Sequence, residues 1–187
     1  MNDKEFIKDY LSRYNKSLFE NDISDQIIKM KKMLLEVKNN GKKVIIAGNG
    51  GSAAMASHAT VDFMKQGGIR TVNFNEYDLI TCFANDYGYD NWIAKALEFY
   101  ADKGDLVILI SSSGSSQNML KAAKTAKHLG LSIITFSGFM KDNLLEKEGE
   151  INFWVDSRAY NIVEMIHHIW LLAVCDAVIG VAEYPAS

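Results

Sequence analysis

The chain has 187 residues, 48% of them hydrophobic, a size that fits one domain with a substantial core rather than two full domains. Its formal net charge of −3 lacks the excess of lysine and arginine typical of proteins that bind a nucleic-acid backbone, so we expect no nucleic-acid partner. Cys82 and Cys175 are too few for a disulfide framework, and we expect both to be reduced core residues. The charged N-terminus lacks the apolar stretch of a signal peptide, and the longest apolar run, 169–181, is shorter than the ~20 residues that cross a bilayer. We therefore expect a cytoplasmic protein with no membrane partner.

The first 40 residues are predicted to be helical. Apolar residues recur there at helical spacing, as at Phe6, Tyr10 and Tyr14 and again at Met30 and Leu34. This pattern is typical of one or two amphipathic helices.

From Lys43 onward, short apolar runs rich in β-branched residues alternate with helical stretches. The predicted strands are VIIAG after Lys43, LVILIS at 106–111 and SIITFS at 132–137, with weaker candidates at 71–74 and 151–155. Helices are predicted at about 52–66, 90–101 and 116–129. The alternation predicts an α/β fold, a doubly wound parallel sheet flanked by helices as in flavodoxin-like and Rossmann-like proteins.

No linker, repeat or low-complexity stretch divides the chain. We therefore expect a single domain over 1–187, with a helical N-terminal segment at 1–40 and an αβα core with a terminal helix at 41–187. That terminal helix, about 160–179, is apolar around most of its circumference, so we expect another subunit to cover part of it and the protein to be a homo-oligomer.

The first predicted strand leads directly into the loop Gly48-Asn49-Gly50-Gly51-Ser52. Glycines let the backbone approach a ligand closely, so the free amides at the start of the next helix can point at an anion. A tight turn without a ligand would have the same sequence. The spacing of Gly48, Gly50 and Ala53 also matches a dinucleotide fingerprint, for which Glu76 could hold the ribose.

A second loop, Ser111-Ser112-Ser113-Gly114-Ser115-Ser116, again lies between a buried strand and a helix. Its five hydroxyls lie next to the free amides of a helix N-terminus, an arrangement suited to a phosphate dianion. Neither loop ends in the GK[ST] sequence of a nucleotide-binding P-loop, which argues against hydrolysis of nucleoside triphosphates.

Four motifs together resemble the phosphoheptose isomerases, which have the sugar isomerase (SIS) fold. They are GNGGSAAMASH at 48–58, FANDYGY at 83–89, GDLVILISSSGSSQNML at 104–120 and a terminal helix that carries a glutamate. They occur in the family's order, and the resemblance extends to about residue 180.

The resemblance implies a homotetramer with its active site at a subunit interface. It also implies conversion of sedoheptulose 7-phosphate into a D-glycero-D-manno-heptose 7-phosphate, the first step towards heptose in lipopolysaccharide or capsule. By the same resemblance, phosphate would be held by Ser52, Ser111, Ser112, Ser113 and Ser116. The substrate would also be bound by Asn49, Gly51, Asp86 and Glu164.

The implied reaction is an aldose–ketose isomerisation through an enediol, which needs a base and an acid. In the family a glutamate on the helix after the first loop and a histidine on the last helix take these roles. Some members also bind zinc through an HxxxE pair on the first of these helices and a glutamine and that histidine on the second. Zinc is not predicted to be required here, and its candidate ligands are His58, Asp62 and His168.

This chain departs from the family pattern at four positions. The HxxxE pair becomes His58 and Asp62, which still share a helix face at i, i+4. Val163 replaces the expected glutamine, Leu171 replaces the catalytic histidine, and Gln66 replaces an arginine.

His167 and His168 lie one turn before the vacant histidine position. The directions around the helix can be measured from Glu164 at about 100° per residue. The family histidine would lie at about −20°, His168 lies at about +40° and His167 at about −60°. Either could substitute for it, or either could only make a structural hydrogen bond. The catalytic candidates are therefore Asp62, His168 and His167.

We expect a phosphosugar isomerase that resembles sedoheptulose 7-phosphate isomerase. The alternatives are a phosphosugar-binding or regulatory SIS protein without turnover and an SIS isomerase of another sugar phosphate.

Overall fold

The computed structural model describes residues 2–185. The elements within that range are α1 (Asp3–Phe19), α2 (Ser24–Asn39), β1 (Val44–Gly48), α3 (Gly51–Lys65), β2 (Thr71–Asn73), α4 (Tyr77–Tyr87), α5 (Trp92–Tyr100), β3 (Leu106–Ser111), α6 (Gln117–His128), β4 (Ser132–Gly138), a short 3₁₀ helix (Glu146–Glu148), β5 (Ile151–Val155) and α7 (Tyr160–Ile179).

The strands form one parallel sheet in the order β2-β1-β3-β4-β5. The chain goes from β1 outward to β2 and then returns to place β3 on the other side of β1. In the register of these two strands Gly48, the last residue of β1, lies beside Ile110 of β3. The predicted doubly wound parallel sheet is confirmed, and its topological switch point lies between β1 and β3. Ligands of such sheets bind in the crevice at this point.

Helices cover both faces of the sheet, so its central strands are buried on both sides. Ile46 and Ile108 belong to a core cluster with residues of α2, α3 and α7. Ile45 and Val107 belong to the other cluster, with residues of α5 and α6. Burial on both faces explains why these strands are continuous apolar runs rather than alternating patterns.

Helix α4 was not predicted from the sequence. None of its residues is fully buried, although Leu79, Ile80 and Phe83 pack in part against the core cluster that α5 and α6 form with the sheet. Cys82 lies on this helix and is exposed, so the prediction that it is a core residue was wrong. Cys175 is buried as expected, and burial raises the pKa of its thiol to about 12.

Helix α7 packs against α2, α3 and strands β4 and β5 of its own chain. Trp170 and Leu171, on its apolar side, are buried in the core of this subunit and need no partner there. Its exposed apolar residues are Tyr160, Met165 and Ile169. Among the described residues α7 is also the one helix long and apolar enough to cross a membrane, a property that the core helix of a globular protein shares.

Candidate functional site

The loops after β1 and β3 meet at the switch point and form a cavity of about 100 Å³. Its walls come from these two loops, the end of β3 and the first turns of α7. The lining residues are Asn49, Ser52, Ile110, Ser111, Ser112, Ser113, Ser116, Tyr160 and Glu164. All but Ile110 and Tyr160 were predicted from the sequence as substrate-binding residues. No lysine or arginine is among these lining residues, so hydroxyls and backbone amides would supply the contacts to an anion.

Close packing explains two glycines of the first loop. A Cβ at Gly48 would lie 2.6 Å from the carbonyl carbon of Ser52, too close for any side chain. A Cβ at Gly51 would collide with the carboxyl group of Glu164. Glycine at position 51 therefore lets α7 bring the carboxyl group of Glu164 against the start of α3.

The second loop, Ser111–Ser116, which we call the serine loop, has some hydroxyls that are hydrogen-bonded within the protein and one that is not. The Oγ atoms of Ser111 and Ser116 lie 3.1 Å apart and share a hydrogen bond. Ser113 Oγ accepts hydrogen bonds from the backbone N–H and the hydroxyl of Ser115. Ser112 Oγ is buried and has no hydrogen-bond partner among the described residues. A buried hydroxyl without a partner is costly, so this one indicates a position that a bound oxygen anion would satisfy.

Glu164 extends from α7 into the same cavity. Burial raises the pKa of its carboxyl group above the ordinary value for glutamate. The physical cause is desolvation, which disfavours the charged form of a carboxyl group.

Asn118 and Tyr89 support the site without having been predicted as part of it. Asn118 exchanges two hydrogen bonds with the side chain of Asn49, and the hydroxyl of Tyr89 donates a third. Both residues fall within motifs that carry the family resemblance. The sequence offers no sign, however, that the two motifs meet at Asn49, because that contact joins residues 69 positions apart.

Asp62, His58 and His168 form a chain where α3 and α7 pack together. His58 Nε2 lies 3.3 Å from Asp62 Oδ2, and His58 Nδ1 lies 2.9 Å from His168 Nε2. Burial lowers the pKa of His168, the neighbouring His58 lowers it further, and Asp62 opposes both effects. The structure thus brings together three of the residues that were predicted to act in catalysis or to bind metal.

The zinc site of some family members does not fit this arrangement of side chains. Within residues 2–185 no group of three or more His, Cys, Asp or Glu side chains is arranged to hold a metal ion. The facing nitrogens of His58 and His168 bond to each other, and Val163 offers no ligand atom. We derive no step that passes through zinc.

His167 is buried in the core, away from this chain of polar residues. Its Nε2 shares a 2.9 Å hydrogen bond with the carbonyl oxygen of Ser137, and its ring packs edge-on against Phe136. Burial lowers the pKa of His167 to about 4, although the hydrogen bond to Ser137 opposes the shift. The structure therefore places His167 in a structural position and leaves His168 as the catalytic candidate.

The neutral His167 predicts a loss of stability in mild acid. The unfolded chain binds a proton near the ordinary pKa of about 6.5, whereas the folded protein does not until about pH 4. Protons thus favour unfolding in this window, and the free energy of unfolding should fall by about 2 kcal/mol between pH 7 and pH 5 from this residue alone. Urea unfolding of wild type and His167→Gln at both pH values measures the effect. A variant with the same pH dependence as wild type would contradict it.

Asp86 lies outside the cavity within one subunit. It is on α4, where it accepts hydrogen bonds from Asn85 Nδ2 and the thiol of Cys82, and it lines a separate aromatic groove with Phe83 and Phe99. Glu76, the candidate for a dinucleotide ribose, is the N-cap of α4 and does not line the cavity either.

The fold and the cavity define a protein of the sugar isomerase class: the SIS domain model matches residues 8–138. The phosphoheptose isomerase of Campylobacter concisus is 32% identical over 94% of this chain and 96% of its own. That of Thermodesulfovibrio yellowstonii is 36% identical over 72% of this chain and 70% of its own. The chain belongs to the phosphoheptose isomerase family. The structure of a phosphoheptose isomerase from Francisella tularensis has a TM-score of 0.88 at 24% identity, covering 95% of this chain and 98% of that one. The structure of the phosphoheptose isomerase GmhA from Neisseria gonorrhoeae has a TM-score of 0.86 at 23% identity, covering 94% of this chain and 98% of that one.

Proposed function

We propose that this protein is a phosphosugar isomerase that interconverts sedoheptulose 7-phosphate and the corresponding aldose phosphate through an enediol. The observation that carries the proposal is the cavity at the switch point, where the loop Ser111–Ser116 and Ser52 of α3 offer hydroxyls to one phosphate. The family names of the relatives support the seven-carbon substrate.

The packing of α3 against α7 supports a position for the reacting carbons between these two helices. Gly51 of α3 contacts Glu164 of α7 at the cavity, and farther along the same two helices His58 contacts His168. His168 lies one turn beyond Glu164, about 6 Å along the helix axis. A sugar whose phosphate occupies the cavity could therefore extend between the helices towards His168.

Asp62 and His168 are the proposed base and acid of the enediol chemistry. The base moves a proton between neighbouring carbons, and the acid transfers protons to and from the oxygens. His58 lies between them, hydrogen-bonded to His168 and within 3.3 Å of Asp62, so it couples the two groups and orients both. The lowered pKa of His168 keeps its imidazole neutral at physiological pH, the form that can both accept and donate a proton.

Proton NMR in D₂O tests the proposed reaction. Wild type incubated with sedoheptulose 7-phosphate should incorporate solvent deuterium next to the carbonyl carbon and accumulate an aldose signal. The absence of exchange, both with added zinc and without it, would refute heptose isomerisation.

A second candidate function is phosphosugar binding without turnover. Leu171 and Val163 stand where the resemblance expects the catalytic histidine and a glutamine, and both are fully buried apolar residues. Binding of sedoheptulose 7-phosphate without deuterium exchange would favour this function or an isomerase for another sugar phosphate.

We further propose one domain over the whole chain, assembled as a homotetramer, in a cytoplasmic pathway towards heptose in lipopolysaccharide or capsule. Exposed apolar residues on three helices support assembly. They are Phe6, Ile7, Leu11 and Phe19 of α1, Val61 and Met64 of α3, and Met165 and Ile169 of α7. These side chains are available to pack against another subunit.

The double variant Phe6→Lys, Leu11→Lys is expected to dissociate the assembly, because burying two unpaired charges at an interface is costly. Light scattering at micromolar concentration should show a smaller particle than wild type, with an unchanged circular dichroism spectrum. Lys8→Ala, at an exposed site on the same helix, is the control. A monomeric wild type would refute the assembly.

A further inference from the structure

Asn118 connects the two loops that form the cavity. It is the second residue of α6 and is buried, 2% exposed. Its Nδ2 donates to Asn49 Oδ1 at 2.8 Å, and its Oδ1 accepts from Asn49 Nδ2 at 3.0 Å. The two carboxamides thus form a closed pair between the loop after β1 and the helix after β3.

The surrounding contacts fix which way each carboxamide faces. The backbone N–H of Met119 donates to Asn118 Oδ1 at 3.1 Å, and turning this carboxamide over would set its NH₂ group against that donor. With Asn118 fixed, Asn49 must present its oxygen to Asn118 Nδ2. The hydroxyl of Tyr89 donates to the same oxygen at 3.1 Å.

Counting donors and acceptors shows what Asn49 has left for a ligand. A carboxamide oxygen has two lone pairs, and Asn118 and Tyr89 occupy both. Its NH₂ group has two hydrogens, of which Asn118 Oδ1 accepts one. Because Asn49 lines the cavity, it can offer a ligand one N–H and no acceptor.

We infer that Asn118 and Tyr89 are positioning residues that make Asn49 a hydrogen-bond donor to an oxygen of the sugar. This inference rests on the proposed function and adds to it that Asn49 is the donor in its hydrogen bond to the sugar. An N–H donor is complementary to a ketose carbonyl or an enediolate oxygen, both of which only accept hydrogen bonds.

The test separates binding of the sugar from binding of the phosphate. Calorimetric titration gives the Kd of inorganic phosphate and of sedoheptulose 7-phosphate, and their ratio is the sugar preference. Asn118→Ala frees Asn49 to turn, so the preference should fall by about tenfold or more, while the Kd of inorganic phosphate changes by less than about twofold. Tyr89→Phe removes one donor, and the preference should fall by about threefold.

Gln117→Ala is the matched control, because Gln117 is the exposed neighbour of Asn118 at the start of α6. It should leave both constants unchanged. Equal weakening of both ligands in Asn118→Ala would show that this residue only holds the start of α6 in place, and an unchanged preference would equally overturn the inference. If Asn118→Ala does not fold, Tyr89→Phe decides, since its hydroxyl belongs to an exposed side chain.

Failure of the proposed reaction has a different signature. Wild type that binds sedoheptulose 7-phosphate without converting it refutes the isomerase reaction, while the same preference ratio still decides the positioning role. Wild type that binds the sugar phosphate no better than inorganic phosphate overturns the positioning role, because Asn49 then contacts no sugar oxygen.

Discussion

Asp62→Asn is expected to lower the turnover of sedoheptulose 7-phosphate by about 100-fold or more, within the range usual for loss of a general base. The change preserves the shape of the side chain and removes the carboxylate that lies 3.3 Å from His58. Binding of the phosphate should change little, because Asp62 does not line the cavity. Initial rates by NMR and the Kd of inorganic phosphate measure the two effects separately.

His168→Ala should lower turnover by a similar factor, because His168 is the other end of the same chain of side chains. Asp25→Asn, at an exposed site near the start of α2, removes one negative charge as well and serves as the control for net charge. Full activity in Asp62→Asn would contradict the assignment of the base. His167→Ala should instead lower stability, since it removes a buried ring and its hydrogen bond to Ser137.

The triple variant Ser111→Ala, Ser112→Ala, Ser113→Ala is expected to weaken sugar-phosphate binding by at least about tenfold. Each hydroxyl that faces the ligand contributes roughly 1 kcal/mol, and more when its partner is charged. Titration calorimetry with inorganic phosphate and with sedoheptulose 7-phosphate measures the change, and both ligands should weaken together because they share the phosphate.

Ser112→Ala by itself should show opposite effects on binding and on folding. Its hydroxyl is buried without a partner in the free protein, so its removal should leave the free energy of unfolding unchanged or raise it, while the affinity for phosphate falls. Gln117→Ala is the control, since Gln117 is exposed just after the same loop and does not line the cavity. Unchanged affinity in the triple variant would refute the phosphate site.

The main elements of the fold follow from local patterns in the sequence. Continuous apolar runs predicted β1, β3 and β4, and helical periodicity predicted α3, α6 and α7. Strand order left no such signal, since each residue of β1 pairs with a residue of β3 that lies 62 positions further along the chain, and packing decides this pairing. Helix α4 was missed because few of its apolar residues reach the core, and those that do, Leu79, Ile80 and Phe83, are only partly buried.

The position of the two loops that line the cavity could be predicted for the same reason. A glycine-rich or serine-rich turn between a buried strand and a helix is a local feature, and parallel strands bring all such turns to one edge of the sheet. The sequence alone therefore determined that the loops at Gly48–Ser52 and Ser111–Ser116 would lie at the carboxyl ends of strands.

Only the tertiary structure distinguished the surroundings of His167 from those of His168. The two side chains point about 100° apart on one helix, and the sequence places both within reach of the vacant catalytic position. Packing of α7 against β4 turns His167 towards the carbonyl oxygen of Ser137, whereas packing against α3 sets His168 beside His58. The same reason applies to Asn118 and Asn49. A contact between distant segments depends on how the helices pack on the sheet, and local periodicity in the sequence does not predict it.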